Sequence, residues 1–146
     1  MSAPDSAGVV TWDDLQVGTQ QPPRVERPLT VTDFVRYQGA SGDLNPIHHD
    51  TAFATAAGYP GPFAVGMRQA GVLATYVTDW LGPRNVRAFG VRFARQAWPG
   101  DVLTYSAEVV ARREVDGQRL VDVALRCARQ NGEEHLTGTA TFVVPR

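Results

Sequence analysis

The stretch Ala70-Gly71-Val72-Leu73-Ala74-Thr75-Tyr76-Val77-Thr78-Asp79-Trp80-Leu81-Gly82-Pro83 decides the architecture. Ala70, Leu73, Ala74, Val77, Trp80 and Leu81 fall at i, i+3, i+4, i+7, i+10 and i+11, one face of an amphipathic helix. The spacing predicts a helix from about Val65 to Trp80, stopped by Gly82-Pro83. Gly66, Ala70, Gly71 and Ala74 keep it slender, so it can lie close to a sheet or admit a ligand beside its backbone. From Asn85 onward the period becomes two. Phe89, Val91 and Phe93 alternate with smaller or polar residues, as do Leu103 to Ala111, Val121 to Cys127 and Leu136 to Val144. Trp98-Pro99-Gly100-Asp101, Asp116-Gly117 and Asn131-Gly132 separate these runs, and the last two are hairpin-turn signals. Four antiparallel strands of about ten residues therefore follow one helix. The expected fold class is α+β, with a curled antiparallel sheet wrapped around a long central helix. Its outer edge needs a partner, which predicts a dimer with a continuous sheet.

Upstream, Trp12 to Gly18 reads as a short turn, and residues 1–11 as a frayed, flexible N-terminus before a single domain over 12–146. Pro22, Pro23 and Pro28 permit only an extended or edge strand around Arg24 to Leu29. Thr30 and Asp33 have the spacing of a capping box and open a short helix, with Gly39 as its end. Asp50 caps a second short helix, Thr51 to Ala57, stopped by Gly58.

A net charge of -1 on 146 residues gives no electrostatic footprint for nucleic acid or an anionic membrane. All 14 basic residues are Arg, so no Lys is present for Schiff-base chemistry. Cys127 is the single cysteine, which rules out an intrachain disulfide and a cysteine-based metal cluster. No apolar run approaches the length of a membrane helix, and the first residues lack a basic and then apolar leader pattern. A cytoplasmic, reducing compartment is the expectation.

The segment Ser41-Gly42-Asp43-Leu44-Asn45-Pro46-Ile47-His48 carries the candidate chemistry. Pro46 fixes its own φ and holds Asn45 extended, while the Asn45 side chain can lock the turn. Asp43 and His48 on such a rigid segment are suited to moving protons near neutral pH. The plainer reading makes Asp43 an Asx-turn residue and His48 an incidental loop residue. A metal site from Asp43, His48, His49 and Asp50 fits no common zinc spacing. A second candidate is Gly61-Pro62-Phe63-Ala64-Val65-Gly66-Met67, at the start of the long helix. Free N–H groups there form an electropositive site, and Gly66 would let a ligand carbonyl approach the backbone. Gly66 could equally serve close helix packing. Trp12, Trp80 and Trp98 read as core or interface anchors and His135 as a surface residue on a strand, while Arg84, Arg87, Arg92 and Arg95 read as a solvated strand face, with the phosphates of a nucleotide handle as their alternative partner.

Tyr37 to His48, followed by Ala54, resembles the signature of the MaoC-like, R-specific enoyl-CoA hydratase ("hydratase 2") family. Gly58 to Met67 resembles that family's next block, and Trp98-Pro99-Gly100-Asp101 its strand-opening turn. The likeness runs over residues 12 to 144. It implies a hot-dog fold and a dimer, either a homodimer or a pair with a related hot-dog subunit. It implies reversible syn hydration of a trans-2-enoyl thioester, carried on CoA or an acyl carrier protein, to a (3R)-3-hydroxyacyl thioester. Asp43 and His48 match the family's catalytic pair, and Gly66 the residue whose N–H binds the thioester carbonyl. No cofactor or metal is implied. One position departs: the family usually has His where this chain has Val65. A non-catalytic partner subunit, a hot-dog thioesterase and an acyl-thioester binding protein are the alternatives.

Overall fold

The computed structural model describes residues 10–145. The expected frayed terminus lies outside the described residues as far as residue 9. The elements run β1 (Gln20–Val25), α1 (Val31–Ser41), α2 (Thr51–Ala56), α3 (Gly66–Leu81), β2 (Val86–Phe93), β3 (Leu103–Val115), β4 (Gln118–Arg129) and β5 (Glu134–Val143). Single 3-10 turns occur at Trp12–Asp14, Pro46–His48 and Pro83–Asn85.

The strands form one antiparallel sheet in the order β1-β3-β4-β5-β2. The β3–β4 hairpin turns at Asp116-Gly117, both at positive φ (50° and 75°), the geometry for which that pair is suited. Alternation places Leu103, Tyr105, Ala107 and Val109 of β3 and Val121, Val123, Leu125 and Cys127 of β4 in the core. Against them, α3 buries Ala70, Leu73, Tyr76, Val77 and Leu81. The helix touches all five strands. A long helix inside one open, curled antiparallel sheet is the hot-dog arrangement. Among the described residues no helix is long and apolar enough to cross a membrane.

Two boundaries and one burial pattern differ from the sequence reading. The first strand is Gln20–Val25, not Arg24 to Leu29, because a register shift between Gln21 and Arg24 absorbs the two prolines on this edge strand. Helix α1 runs through Gly39 to Ser41; Gly42, at φ 79°, takes the left-handed cap and donates its N–H to Gln38 O. On β2 the alternating aromatics do not all enter the core: Phe93 is 51% exposed and Phe89 36%.

The α1 capping box is present as spaced. Thr30 Oγ1 accepts from Asp33 N, while Asp33 Oδ2 accepts from Thr30 N at 2.8 Å. Asp33 is buried and is also paired with Arg27, which donates from Nη1 at 3.1 Å. The Arg27 hydrogen bonds hold its carboxyl well below the usual carboxylate range. The folded state therefore binds this proton less readily than the unfolded chain. Asp33 stabilises the fold fully above an unfolded pKa of about 4, and the contribution fades as pH falls below it. Asp33→Asn is expected to cost about 1–2 kcal/mol at pH 7. In urea unfolding, the gap to the natural chain should narrow steadily between about pH 5 and about pH 2; a gap independent of pH would contradict this role.

Candidate active site

The irregular segment between α1 and α2 is built by side chain to backbone bonds. Asn45 Oδ1 accepts from Ile47 N at 3.1 Å, capping the 3-10 turn that Pro46 opens. Asp43 Oδ1 accepts from Asn45 N at 3.3 Å, so Asp43 does form an Asx turn. Its side chain is exposed.

Gln38 is the residue that composition and motif left without a role. It is 2% exposed on α1. Its Nε2 donates to Asn45 O at 2.9 Å, and its Oε1 accepts from His49 Nδ1 at 2.8 Å. One amide thus clamps both ends of the Asn45–His49 turn. His49 is committed to this clamp, and its neighbour His48 turns the other way, into the protein. Among the described residues there is no group of three or more His, Cys, Asp or Glu placed to hold a metal ion.

His48 is buried, and its Nδ1 lies 2.7 Å from Phe63 O. A carbonyl oxygen only accepts, so Nδ1 carries the proton and Nε2 of the neutral ring keeps its lone pair. Phe63 also places its ring edge-on to the imidazole, with centroids 5.1 Å apart, and Trp98 packs edge-on against Phe63 in turn.

His48, Phe63, Gly66, Phe93, Arg95 and His135 line a cavity of about 220 Å³. Gly66 is the first residue of α3, and the N–H groups of a helix's first turn have no partner within the helix. A polar group here meets the positive end of a 16-residue helix. A Cβ at Gly66 would stand 2.6 Å from the Phe93 ring, so glycine allows that aromatic to close on the helix start. Val65 is 3% exposed and belongs to the core, so it adds no polar group beside the helix start.

The helix start is itself pinned. Arg68 Nη2 donates to Glu26 Oε1 at 2.8 Å, and Tyr105 Oη donates to Glu26 Oε2 at 2.7 Å. Burial pushes the Tyr105 phenol far up, which keeps it a neutral donor. Three elements, β1's exit, α3 and β3, meet in this one polar cluster.

His135 corrects the sequence reading. It is 2% exposed, not on the surface, and lines the same cavity as His48. The structure thus brings His48 and Gly66 to one cavity, with Asn45 and Pro46 shaping the turn that carries His48. Asp43 stands at the exposed start of that segment and is not on the cavity wall. A larger cavity of about 380 Å³ opens at the opposite end of α3, beside Trp80, Gly82 and Asn85. None of the residues singled out for chemistry lines it.

A hot-dog fold with a buried histidine and a helix N-terminus on one cavity defines a class; the comparisons supply the family. The MaoC like domain matches residues 14–130, and the chain belongs to that family. It is 37% identical over 111 residues to the enoyl-CoA hydratase ChsH3 of Mycobacterium tuberculosis, a match that covers 74% of this chain and 36% of that protein. The chain thus spans only about a third of that relative's length. It is 27% identical over 133 residues to the (R)-specific enoyl-CoA hydratase of Aeromonas caviae, covering 90% of this chain and 96% of the relative. Among solved structures, the ChsH1-ChsH2 complex from Mycobacterium tuberculosis superposes with a TM-score of 0.75 at 29% identity, over 89% of this chain and 98% of that one.

Gln38→Leu removes both clamp bonds and leaves Asn45 O and His49 Nδ1 without them. A loss of about 1–3 kcal/mol in urea unfolding is expected. In the natural protein, 15N spectra of the His48 ring should show a protonated Nδ1 and a bare Nε2; the opposite tautomer would overturn the assignment from Phe63.

Proposed function

We propose that the chain catalyses reversible hydration and dehydration between trans-2-enoyl and (3R)-3-hydroxyacyl thioesters of CoA or an acyl carrier protein. The observation that carries this reading is the meeting of a tautomer-fixed His48 and the Gly66 helix start on one cavity. It agrees with the family and with the hydratase names of the relatives.

In hydration, the thioester carbonyl oxygen accepts from Gly66 N–H. This reading requires the Asp43 carboxylate, which is exposed and off the cavity wall, to turn toward the cavity and accept one hydrogen of a water molecule. His48 Nε2 takes its other proton as the oxygen attacks C3. The C2–C3 π electrons pass through C2 to the carbonyl oxygen, forming an enolate that Gly66 N–H and the helix dipole stabilise. The Asp43–His48 pair then returns a proton to C2 on the same face, completing syn addition. Dehydration reverses these steps. Phe63 O has a defined part: it orients the ring and stabilises the imidazolium through Nδ1–H.

The physiological unit in this reading is a dimer. Strand β2 ends the sheet, leaving its outer edge unpaired among the described residues, and Phe89 and Phe93 stand exposed on it. A second hot-dog subunit adding its own edge strand there would pair the edge and cover the aromatics. Similarity to the ChsH1-ChsH2 complex favours a related subunit as a second form of that partner.

The test is loss of enoyl-thioester absorbance with crotonyl-CoA as substrate. Asp43→Asn and His48→Ala should each lower kcat/KM at least about a hundredfold while the circular dichroism stays unchanged. Near-normal turnover in either folded variant would remove that residue from the mechanism. Release of free CoA without a hydroxyacyl product would instead mark a thioesterase. An inactive chain that gains activity on addition of a related hot-dog subunit would mark the heteromeric form.

A further inference from the structure

We propose that Gln69 is a positioning residue for the reaction: its side-chain amide aims and polarises the Gly66 N–H through the carbonyl oxygen of Val65. The inference rests on the thioester reading above, in which that N–H binds the carbonyl oxygen of the ligand.

Gln69 lies in the first turn of α3 and is fully buried. It is not on the wall of the His48 cavity, so it does not touch a ligand there. Its amide stands between Arg68 Nη1 and Val65 O. A guanidinium only donates and a carbonyl only accepts, which orients the amide. Oε1 accepts from Arg68 Nη1 at 3.1 Å, and Nε2 donates to Val65 O at 2.7 Å. Arg68 is in turn paired with Glu26, which also accepts from Tyr105 Oη.

Val65 O and Gly66 N–H belong to one peptide unit, which is trans, so they point in opposite directions. Val65 O points into the helix, where Arg68 N also donates to it at 2.9 Å. Gly66 N–H therefore points out of the helix start, and Gly66 lines the cavity. A bond that fixes the carbonyl fixes the direction of the N–H behind it.

The order of donors adds a second effect. Arg68 donates to Gln69, Gln69 donates to Val65, and Gly66 N–H is the last donor in the row. The dipoles run head to tail from a cation, and bonds joined in this way strengthen one another. The row makes Gly66 N–H a better donor to an oxygen on which negative charge grows. If satisfying Arg68 Nη1 were the whole purpose, an acceptor alone would serve, and a carboxylate would serve better. What glutamine adds is a donor to Val65 O.

Two substitutions separate these roles. Gln69→Met nearly keeps the volume and removes both bonds. Gln69→Glu keeps an acceptor for Arg68 and removes the donor to Val65. Crotonyl-CoA hydration gives kcat and KM. The carbonyl is followed by 13C NMR of bound [1-13C]butyryl-CoA, which cannot be hydrated, because a hydrogen bond to its oxygen moves the signal downfield. We expect both variants to lower kcat about tenfold while KM stays within about twofold, since the interaction grows with charge in the transition state. The bound carbonyl signal should stand downfield of the free one in the natural protein and fall back toward it in both variants. Natural kcat in folded Gln69→Glu overturns the inference and leaves Gln69 as a partner of Arg68 only. A fall in kcat with the bound signal still at its natural position overturns it too, since a packing defect alone would do that. A natural protein that hydrates crotonyl-CoA but binds butyryl-CoA with an unshifted carbonyl overturns the inference and leaves the hydratase reading standing. A natural chain that neither binds nor hydrates CoA thioesters, with or without a related hot-dog subunit, overturns both. Should both variants fail to fold, the 1H signals of the natural protein decide. Downfield movement of Gly66 N–H together with the Gln69 Nε2–H on adding butyryl-CoA supports the row, and an unmoved Gln69 signal overturns it.

Discussion

Helix α3 buries Leu73, Tyr76 and Val77 against the inner face of a single sheet, and the position of every other feature follows from that packing. The helix touches all five strands, so it cannot slide or rotate without opening the core. Its first turn emerges beside the end of β2 and the start of β5, where Phe93 and His135 stand. The Glu26–Arg68–Tyr105 cluster fixes the depth of that first turn. A half-buried ion pair contributes little net stability after desolvation, but one with its remaining acceptor satisfied by a phenol specifies a unique geometry. The cavity is where it is because the helix start is held there.

The three histidines show how surroundings divide one side chain among different duties. His49 gives its Nδ1 to Gln38 and serves as a brace. His48 and His135 each give Nδ1 to a backbone carbonyl, of Phe63 and of Arg95. Backbone carbonyls cannot change protonation, so the tautomer of each ring is set by the fold. Two rings of fixed tautomer thus stand among the residues that line one cavity, together with the glycine that starts α3.

The long helix, the two dipeptide-turn hairpins and the Thr30–Asp33 cap were legible because each is a local pattern with a local cause: period, φ > 0 at a turn, or an orphan N–H near a carboxylate. Boundaries were less legible. Gly39 looks like a helix end, but a glycine within a helix costs only about 1 kcal/mol, and the cap formed by Gly42 offsets it. The prolines at 22 and 23 moved the expected first strand downstream, because a register shift that tolerates them depends on how β3 pairs alongside. Phe89 and Phe93 alternate as core residues do, and only the sheet order, with β2 at its edge, shows that they stay exposed.

By itself the sequence determined the helix-and-sheet class, the rigid Asn45-Pro46 turn with His48 at its end, and the glycine at the start of α3, since all of these rest on neighbours within a few residues. Tertiary structure alone decided which of these residues share a space. His135 shows the difference most plainly. Strand alternation puts it on the face opposite Leu136, which reads as solvent. The segment at Ala94 and Arg95 folds over that face and bonds to its backbone and ring, forty positions away in the chain. No local pattern encodes such a cover, because it is produced by the pairing of β2 with β5 and by the turn that follows.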